Sequence, residues 1–314
     1  MDKQKLLSFL KAEYLKNFQG ADLVQDGSDN SVYKVSTRDA SFAVRLSKRE
    51  KDEEDINFET NLCQFLANKG YPVPPIQITA DKAYYSDFKG QTLVLQDWVS
   101  ADPVNLSWDT QPSRDICFQA GAKLAELHNL TSNYHPSFSP KRHIDTELKR
   151  VLESKDKFLN FYENSQGFVK DVEKALSFYS NLQKSTPEKL LVIHNDYRAQ
   201  NILAKNNALS AVIDFDWACL GFAEKDIAHA LVEWSFPDGA ASHWNGVWDA
   251  FLRGYKGGRS PNEKDLKNWV IFSTLSDAAT YFMDKLEREY SSDVSGVRMG
   301  SYMYKKFRYF QEVL

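Results

Sequence analysis

Apolar and polar residues alternate along the first part of the chain in the pattern of β-strands. The segment SVYKVSTRDASFAVRLS, residues 31–47, shows this alternation on both sides of the turn-like TRDA and predicts a hairpin. A helix is predicted over residues 52–70, where apolar residues recur at helical spacing and the pattern stops at Gly70. Strand-like runs over residues 83–99 follow. The first hundred residues therefore predict a small sheet with one inserted helix.

The pattern becomes mostly helical after about the first hundred residues. Residues 146–184 are typical of a long amphipathic helix, and residues 192–216 are strand-like within this helical part. These patterns predict an N-terminal unit of residues 1–99 and a C-terminal unit of residues 100–314. The segment YSSDVSGVRMG, residues 290–300, is predicted to be a loop.

Composition and charge narrow the class of protein. The 314 residues are 42% hydrophobic with a net charge of −4, which suits a globular core, and no basic run is dense enough to follow a phosphate backbone. No run of about 18 apolar residues occurs. We therefore expect no nucleic-acid or membrane partner and a cytoplasmic location, and the oligomeric state is left open. Three cysteines far apart predict buried free thiols.

Candidate chemistry is concentrated in VIHNDYRAQNILAKNNALSAVIDFD, residues 192–216. The stretch folds on paper as a hairpin in which Ile202 and its neighbours pair with Val212 and its neighbours across KNNA. Asn201 and Asp214 are then equidistant from the turn. We expect them to meet at the open end of the hairpin, where an amide oxygen and a carboxylate can bind one hard cation such as Mg²⁺.

The spacing H-x-D-x-x-x-x-N, followed by a strand that ends in Asp, is that of a kinase catalytic loop and its metal-binding Asp. Phosphoryl transfer needs a carboxylate that accepts a hydroxyl proton and oxygen ligands that hold Mg²⁺. Asp196 is the predicted base, and Asn201 and Asp214 are the predicted metal ligands. Each residue alone is equally well explained as a turn former or a surface polar group.

A nucleotide-binding region is predicted upstream. In FAVRL, Ala43 and Arg45 lie on the same face of a strand, so a small residue can face adenine while a cation reaches the phosphates. Glu59, on the following helix, is the expected carboxylate partner of Arg45. The alternative is that Arg45 and Glu59 are solvated surface residues, and their order ahead of the catalytic spacing argues against it.

The segment DGSDNSVYKV, residues 26–35, lies where a turn over the phosphates is expected. Ser28 and Asn30 are suitable turn residues whose N–H groups can face a phosphate. The segment is not G-x-G-x-x-G, and an ordinary loop explains it equally well.

Several motifs together resemble the aminoglycoside phosphotransferase and choline kinase superfamily over roughly residues 20–290. They are FAVRL, FETNLCQFLANKGYPVPPI, GAKLAELHNL, VIHNDYRAQNIL and VIDFDWACLGFAEKDIAHAL. Within the superfamily, DIAHALVEWSF and FLRGYKGGRSPNEKDLKNW look most similar to the type II homoserine kinase branch.

The resemblance implies an α+β, bilobal protein-kinase-like fold with a small N-terminal antiparallel sheet and a larger, mostly helical C-terminal lobe. It implies that the protein binds ATP and Mg²⁺ and phosphorylates a hydroxyl of a small molecule. The backbone from Asp97 to Val99 would meet adenine. Asp226 resembles a family residue that steadies the catalytic loop, and His194 is interpreted as a structural hydrogen-bonding residue.

Two departures from the family pattern concern the shape of the catalytic loop. Asn195 stands where the family commonly has Gly, and RAQ at residues 198–200 replaces a frequent His-Pro-Gly run. A protein-substrate kinase is disfavoured because neither D-F-G nor A-P-E follows Asp214.

The acceptor site is expected in the helical part. Acidic and aromatic residues there can enclose a cationic amine through charge and cation–π contacts. The candidates are Asp216, Trp217, Glu233 and Trp234. The alternative is that the tryptophans belong to the core.

Three hypotheses follow. The leading one is an ATP-dependent kinase of an amino alcohol such as homoserine or choline. The second is an aminoglycoside or macrolide antibiotic kinase, which shares every motif. The third is a catalytically silent nucleotide-binding regulator, against which the intact Asp196, Asn201 and Asp214 argue.

Overall fold

A computed structural model describes residues 2–27, 29–107, 109–186, 190–287 and 295–314. The chain divides into two compact units. The first unit contains Met1–Pro103, His135–Lys141 and Asn201–Asp216, and the second contains Val104–Tyr134, Arg142–Gln200 and Trp217–Leu314.

The elements follow one another along the chain with these bounds. The strands are β1 (Gly20–Asp26), β2 (Asn30–Ser36), β3 (Ser41–Ser47), β4 (Ser86–Phe88), β5 (Gln91–Asp97), β6 (Asp102–Pro103), β7 (Leu191–Ile193), β8 (Ile202–Lys205), β9 (Ala208–Val212) and β10 (Cys219–Gly221). The helices are α1 (Lys3–Tyr14), α2 (Glu53–Asn68), α3 (Arg114–Thr131), α4 (Thr146–Glu153), α5 (Lys155–Leu159), α6 (Ser165–Ser185), α7 (Ala223–Ser235), α8 (Asn245–Gly258), α9 (Glu263–Glu287) and α10 (Ser295–Val313).

The first unit is built on an antiparallel sheet with the strand order β1-β2-β3-β5-β4. The predicted hairpin is confirmed, because β2 and β3 pair without a register shift from Asn30 opposite Ser47 to Ser36 opposite Ser41. Alternate side chains of β3 enter the core: Val44 is fully buried and Leu46 nearly so. Strand periodicity therefore sends Arg45 to the opposite face of β3.

The inserted helix α2 is also confirmed. It begins after Asp52, whose side chain accepts a hydrogen bond from the N–H of Glu54 at 3.0 Å, and acidic residues fill its first turn. It ends just before Gly70, which has a φ of 77° that glycine adopts without steric cost.

A second, three-stranded sheet in the first unit has the order β6-β8-β9. The predicted pairing is confirmed, with Ile202 opposite Val212. The predicted symmetry is wrong by one residue, because the N–H of Ile213 donates to the carbonyl of Asn201 at 2.9 Å. Ile213 therefore lies opposite Asn201, and Asp214 is the next residue, with a left-handed φ of 68°.

The second unit is mostly helical, with β7 and β10 as an antiparallel pair. Helices α3 and α8 approach closely at two glycines. A Cβ on Gly121 would lie 2.0 Å from the carbonyl oxygen of Phe251, and one on Gly254 would lie 2.0 Å from that of Phe118. Only glycine permits this spacing, so the two helices pack backbone to backbone.

Three further expectations can be compared with the described residues. Cys63, Cys117 and Cys219 are buried free thiols, as predicted. The loop predicted over residues 290–300 is wrong for residues 295–300, which begin α10, while residues 290–294 lie outside the described residues. Among the helices of the described segments, none is both long enough and apolar enough to cross a membrane.

The boundary predicted at residues 99 and 100 lies close to the division between Pro103 and Val104. The strand-like segment of residues 192–216 was expected in the C-terminal unit. Residues 201–216 of it belong instead to the first unit. Sequence order alone could not indicate this grouping, because these residues follow the helices α3 to α6 of the second unit.

Candidate functional site

In the first unit, Arg45 is the centre of a buried charge cluster. Its side chain is 12% exposed and forms ion pairs with Glu59 on α2 and with Asp216. Strand β3 and helix α2 thus bring together the two residues that the sequence predicts as partners. Asp216 also joins this cluster, which the sequence analysis did not anticipate.

Lys51, in the connection between β3 and α2, is a member of the cluster that sequence reasoning missed. Its Nζ lies 2.8 Å from Oε2 of Glu59 and 3.0 Å from Oδ2 of Asp216. Glu59 and Asp216 therefore each contact both cations. The run SKREKDEED contains several basic residues, so no periodicity distinguishes Lys51 from its solvated neighbours.

Burial and ion pairing act in opposite directions on the pKa values of this cluster. Burial favours neutral Glu59, but Arg45 and Lys51 outweigh it and lower the pKa of Glu59. Burial also opposes the charge on Arg45, and Glu59 and Asp214 raise its pKa in spite of this. For Lys51 burial dominates over Glu59, so its pKa is lowered.

The turn between β1 and β2 contributes one polar contact to the cluster. Asn30 donates from Nδ2 to Oδ2 of Asp216 at 2.8 Å, and its carbonyl accepts from the N–H of Gly27 at 3.0 Å. Ser28, the other predicted turn residue, lies outside the described residues. Asp216 is thus held by Arg45, Lys51 and Asn30, so a substrate role for its carboxylate would require it to leave these partners.

The two predicted metal ligands also belong to the first unit. Asn201 is buried and immediately precedes β8, and Asp214 follows β9, with its Oδ1 3.8 Å from Nη1 of Arg45. In the described parts of the chain, no group of three or more His, Cys, Asp or Glu residues is arranged to hold a metal. An amide and a carboxylate oxygen fit a Mg²⁺ ion that takes its other ligands from phosphates and water.

The predicted adenine contacts lie at the end of β5. The N–H of Asp97 donates to the carbonyl of Pro75 at 3.0 Å, and its carboxylate accepts from Nε2 of Gln77 at 2.7 Å. The carbonyl of Val99 accepts from the N–H of Ala101 at 3.0 Å. The segment is thus ordered by local hydrogen bonds, and its contact with a nucleotide stays a prediction.

In the second unit, Asp226 on α7 holds the loop that carries Asp196. Its two carboxylate oxygens accept from the backbone N–H groups of His194 and Asn195, each at 2.8 Å, and Oδ2 lies 3.0 Å from Nε2 of His128. Burial opposes its charge, but the contact with His128 and nearby cations lower the pKa of Asp226 to about 2. These contacts agree with its interpretation as a residue that steadies the loop.

The departure at Asn195 has a structural explanation. Asn195 adopts a φ of 65°, a left-handed conformation that glycine prefers and asparagine tolerates better than other residues. Its side chain donates to the carbonyl of Trp217 at 3.1 Å and accepts from Nζ of Lys225. The asparagine therefore keeps the backbone conformation that glycine would allow and adds two contacts that fix the loop.

Asp196, the predicted base, has a side chain that is 13% exposed and lies between Arg198 and His229. Nε of Arg198 lies 3.2 Å from its Oδ2, and Nε2 of His229 lies 3.4 Å from its Oδ1. Burial favours the neutral carboxyl, but Arg198 and His229 outweigh it, so the pKa of Asp196 is lowered. The carboxylate is therefore ionised at neutral pH, as a base must be.

The remaining substrate candidates differ in accessibility. Trp217 is partly buried, and the guanidinium of Arg142 lies 3.5 Å from its ring centroid. Glu233 lies 3.8 Å from Nζ of Lys306, and burial raises its pKa. Trp234 is fully buried, with its indole N–H donated to the carbonyl of Tyr197, so it has no surface to offer a substrate and belongs to the core.

Comparisons with known proteins agree with this fold. Residues 21–262 match the phosphotransferase enzyme family. Homoserine kinase of Brucella ovis is 27% identical over 295 residues, which are 90% of this chain and 82% of the relative. Homoserine kinase of Bartonella tribocorum is 28% identical over 229 residues, which are 71% of this chain and 67% of the relative.

Solved structures share the fold at low sequence identity. A microcompartment-associated aminopropanol kinase has a TM-score of 0.72 and 17% identity, covering 98% of this chain and 96% of its own. Amicoumacin kinase in complex with AMP-PNP and Ca²⁺ has a TM-score of 0.77 and 14% identity, covering 100% of this chain and 98% of its own. The likeness to these kinases over almost the whole chain confirms the predicted α+β, protein-kinase-like fold class.

The fold and the family match together define a small-molecule kinase, a phosphotransferase whose acceptor is an alcohol group. The chain belongs to the phosphotransferase enzyme family, as the resemblance in its sequence implies.

Proposed function

We propose that this protein is an ATP- and Mg²⁺-dependent kinase that phosphorylates the hydroxyl of homoserine or of a closely similar amino alcohol. The observation that carries the proposal is the similarity to the Brucella ovis homoserine kinase, which extends over 90% of this chain. The charge clusters of the two units supply the groups that such a reaction needs.

The first unit is assigned the nucleotide. Arg45 is the cation that contacts the phosphates, and Glu59 orients its guanidinium. Asn30, at the start of β2, is assigned to the phosphates, and the backbone from Asp97 to Val99 is assigned the contact with adenine. Since Arg45 already has carboxylate partners, phosphate oxygens would exchange with Asp216 while Glu59 keeps the side chain in place.

Asn201 and Asp214 are assigned the metal. Both offer hard oxygen donors, which Mg²⁺ prefers, and the ion supplies positive charge beside the phosphates. The left-handed backbone of Asp214 redirects its carboxylate away from the regular strand path.

The second unit is assigned the acceptor hydroxyl. Asp196 is ionised and accepts the hydroxyl proton while the acceptor oxygen bonds to the γ-phosphorus and the bond from phosphorus to the ADP oxygen breaks. Asp226 keeps the loop of Asp196 in position through its two backbone hydrogen bonds.

The acceptor amine is assigned to Glu233 and Trp217. Glu233 is an acid whose pKa is raised by burial, and a bound ammonium would lower that pKa again. The contact of the Trp217 ring with the guanidinium of Arg142 supports this assignment, since an aromatic face attracts a cation.

A screen of ADP release over several acceptors tests the proposal. The acceptors are homoserine, choline, ethanolamine, methylthioribose, an aminoglycoside and a macrolide. We expect release above the no-acceptor rate with homoserine or one other amino alcohol. If only an antibiotic stimulates ADP release, the protein is a resistance kinase and the proposal is replaced. If none of the acceptors stimulates ADP release, the proposal is contradicted.

Metal dependence is tested with the same assay. Removal of divalent cations by a chelator should abolish ADP release, and Mg²⁺ should restore it. Asn201→Ala and Asp214→Ala should raise the Mg²⁺ concentration needed for half-maximal rate. An unchanged Mg²⁺ requirement in both variants would exclude the assigned ligands.

A further inference from the structure

A histidine that the sequence analysis did not identify lies beside the proposed base. His229 is on α7, three residues after Asp226, within an otherwise apolar run. Its side chain is 6% exposed, and each ring nitrogen faces a different carboxylate. Nε2 lies 3.4 Å from Oδ1 of Asp196, and Nδ1 lies 3.5 Å from Oδ2 of Asp277 on α9.

The protonation state of this ring follows from its neighbours. A neutral imidazole has one N–H donor and one lone pair, and a lone pair directed at a carboxylate is unfavourable. The doubly protonated ring avoids this, because it places a positive charge 3.4 Å from Asp196 and 3.5 Å from Asp277. Burial by itself would lower the pKa of His229, but Asp277 and Asp196 outweigh burial and raise it to about 10.

Other charged groups around the ring do not reverse this balance. Lys225 on the same helix lowers the pKa of His229 and is itself in contact with Asn195. Glu233, one helical turn further along α7, interacts with the charge of His229 and is paired with Lys306 of α10. Arg198 also pairs with Asp196, so its positive charge opposes the positive charge of His229 beside the same carboxylate.

We propose that His229, oriented by Asp277, is a positioning residue that holds Oδ1 of Asp196 and so directs Oδ2 to the acceptor hydroxyl. The inference rests on the proposed role of Asp196 as the base. It adds two residues, on α7 and α9, to the groups that govern the acceptor end of the reaction.

The two cations beside Asp196 differ in a way that supports these separate roles. His229 is 6% exposed and fixed between α7 and α9, whereas the side chain of Arg198 is 40% exposed. The exposed side chain of Arg198 can move away from Oδ2 of Asp196 when a hydroxyl arrives. The buried ring of His229, enclosed between α7 and α9, cannot move away from Oδ1 in the same way. Oδ2, the oxygen that Arg198 covers, is therefore the one that receives the proton.

Steady-state kinetics with homoserine and ATP test the positioning role. His229→Gln removes the charge but keeps a donor of similar reach, and we expect kcat to fall by about 10- to 100-fold with KM for ATP unchanged. Asp277→Asn should give a smaller loss in the same direction, and Asp277→Glu should recover part of it. The matched control is His135→Gln, because His135 is exposed and its substitution should change nothing.

The pH profile separates positioning from a merely structural role. Without the imidazolium the pKa of Asp196 rises, so the acidic limb of kcat/KM should move to higher pH in His229→Gln. A variant that loses activity without this movement, or one that keeps full kcat, would overturn the inference.

A measurement on the wild-type protein covers the case in which the variants do not fold. Histidine ¹⁵N resonances should show His229 doubly protonated at neutral pH and losing its proton only near pH 10. Titration close to the ordinary value of 6.5 would overturn the inference.

Failure of the inference and failure of the proposed function give different results. If Asp196→Asn retains kcat, the base is wrongly assigned and the proposed function fails at that point. If Asp196→Asn is inactive while His229→Gln has full activity, the base is right and only the role of His229 is wrong.

Discussion

The two units each contain a buried charge cluster, and the clusters differ in what carries their positive charge. In the first unit a guanidinium and an ammonium, Arg45 and Lys51, face the carboxylates of Glu59 and Asp216. In the second unit an imidazole, His229, lies between the carboxylates of Asp196 and Asp277. The guanidinium of Arg45 in the first cluster has a raised pKa and stays charged throughout the neutral range, whereas the imidazolium of His229 loses its proton near pH 10.

The difference matches the chemistry proposed for each unit. Phosphate groups remain anionic throughout the neutral range, and a permanent cation suits them. A base that exchanges a proton needs neighbours that fix its geometry without competing for the same oxygen.

Loss of the proposed base should have the largest effect. Asp196→Asn removes the proton acceptor with little change in volume, and we expect kcat to fall by about 1,000-fold. The rate of ADP release with homoserine as acceptor measures this fall in kcat. Asp156→Asn is the matched control, since Asp156 is exposed on α5, and equal activity of both variants would contradict the assignment.

Loss of Arg45 from its charge cluster should destabilise the first unit. Arg45→Met leaves Glu59 and Asp216 with Lys51 as their remaining cation in the cluster, and removal of one partner from a buried ion pair costs about 3 kcal/mol. Urea unfolding measures the loss of unfolding free energy. This loss should be the same, within experimental error, from about pH 6 to about pH 9. A strongly pH-dependent loss would contradict the contrast between the clusters.

The imidazole cluster should behave in the opposite way. Because the pKa of His229 is raised from 6.5 to about 10 in the folded state, its contribution to stability is fully present below 6.5 and is lost as pH rises through 10. The difference in unfolding free energy between wild type and His229→Gln should therefore shrink from pH 6.5 to pH 10. A difference that stays constant over this range would show that the ring is neutral in the folded protein.

Asp226 should make the stability of the protein depend on pH in the acidic range. Its pKa is lowered from 3.8 to about 2, so it stabilises the fold above 3.8 and this contribution is lost as pH falls toward 2. A shift of this size corresponds to roughly 2 kcal/mol. The stability difference between wild type and Asp226→Asn should decline over the same interval, and a constant difference would exclude an ionised Asp226 as the cause.

Lys51 should give the smallest effect. Lys51→Met leaves Arg45 paired with both Glu59 and Asp216, so the loss of stability should be about 1 kcal/mol and clearly below that of Arg45→Met. Urea unfolding of both variants compares them directly. A loss as large as that of Arg45→Met would make Lys51 an equal partner in the cluster.

Local sequence patterns were sufficient for the elements and for pairs that one element or one turn brings together. The alternation in β2 and β3 predicted their hairpin, and the apolar spacing of α2 placed Glu59 on the helix after Arg45. The hairpin turn likewise predicted that Ile202 faces Val212, although this register puts Ile213, and not Asp214, opposite Asn201. Such predictions succeed because hydrogen bonding and side-chain periodicity act over a few residues.

Partners far apart in sequence could not be predicted in this way. Lys51 reaches Asp216 across 164 intervening residues, and Asp196, His229 and Asp277 come from a loop and two helices. No local pattern distinguishes a buried lysine or histidine from a solvated one, because burial is set by packing between elements.

The sequence by itself thus determined the class of fold, the order of its elements and the spacing of the residues proposed for phosphoryl transfer. The tertiary structure alone decided which carboxylates share a cation, that Asp216 pairs with Arg45, and that His229 lies beside Asp196. The physical reason is that secondary structure follows from short-range backbone and side-chain preferences, whereas ion pairing inside a protein depends on which distant groups packing removes from water together.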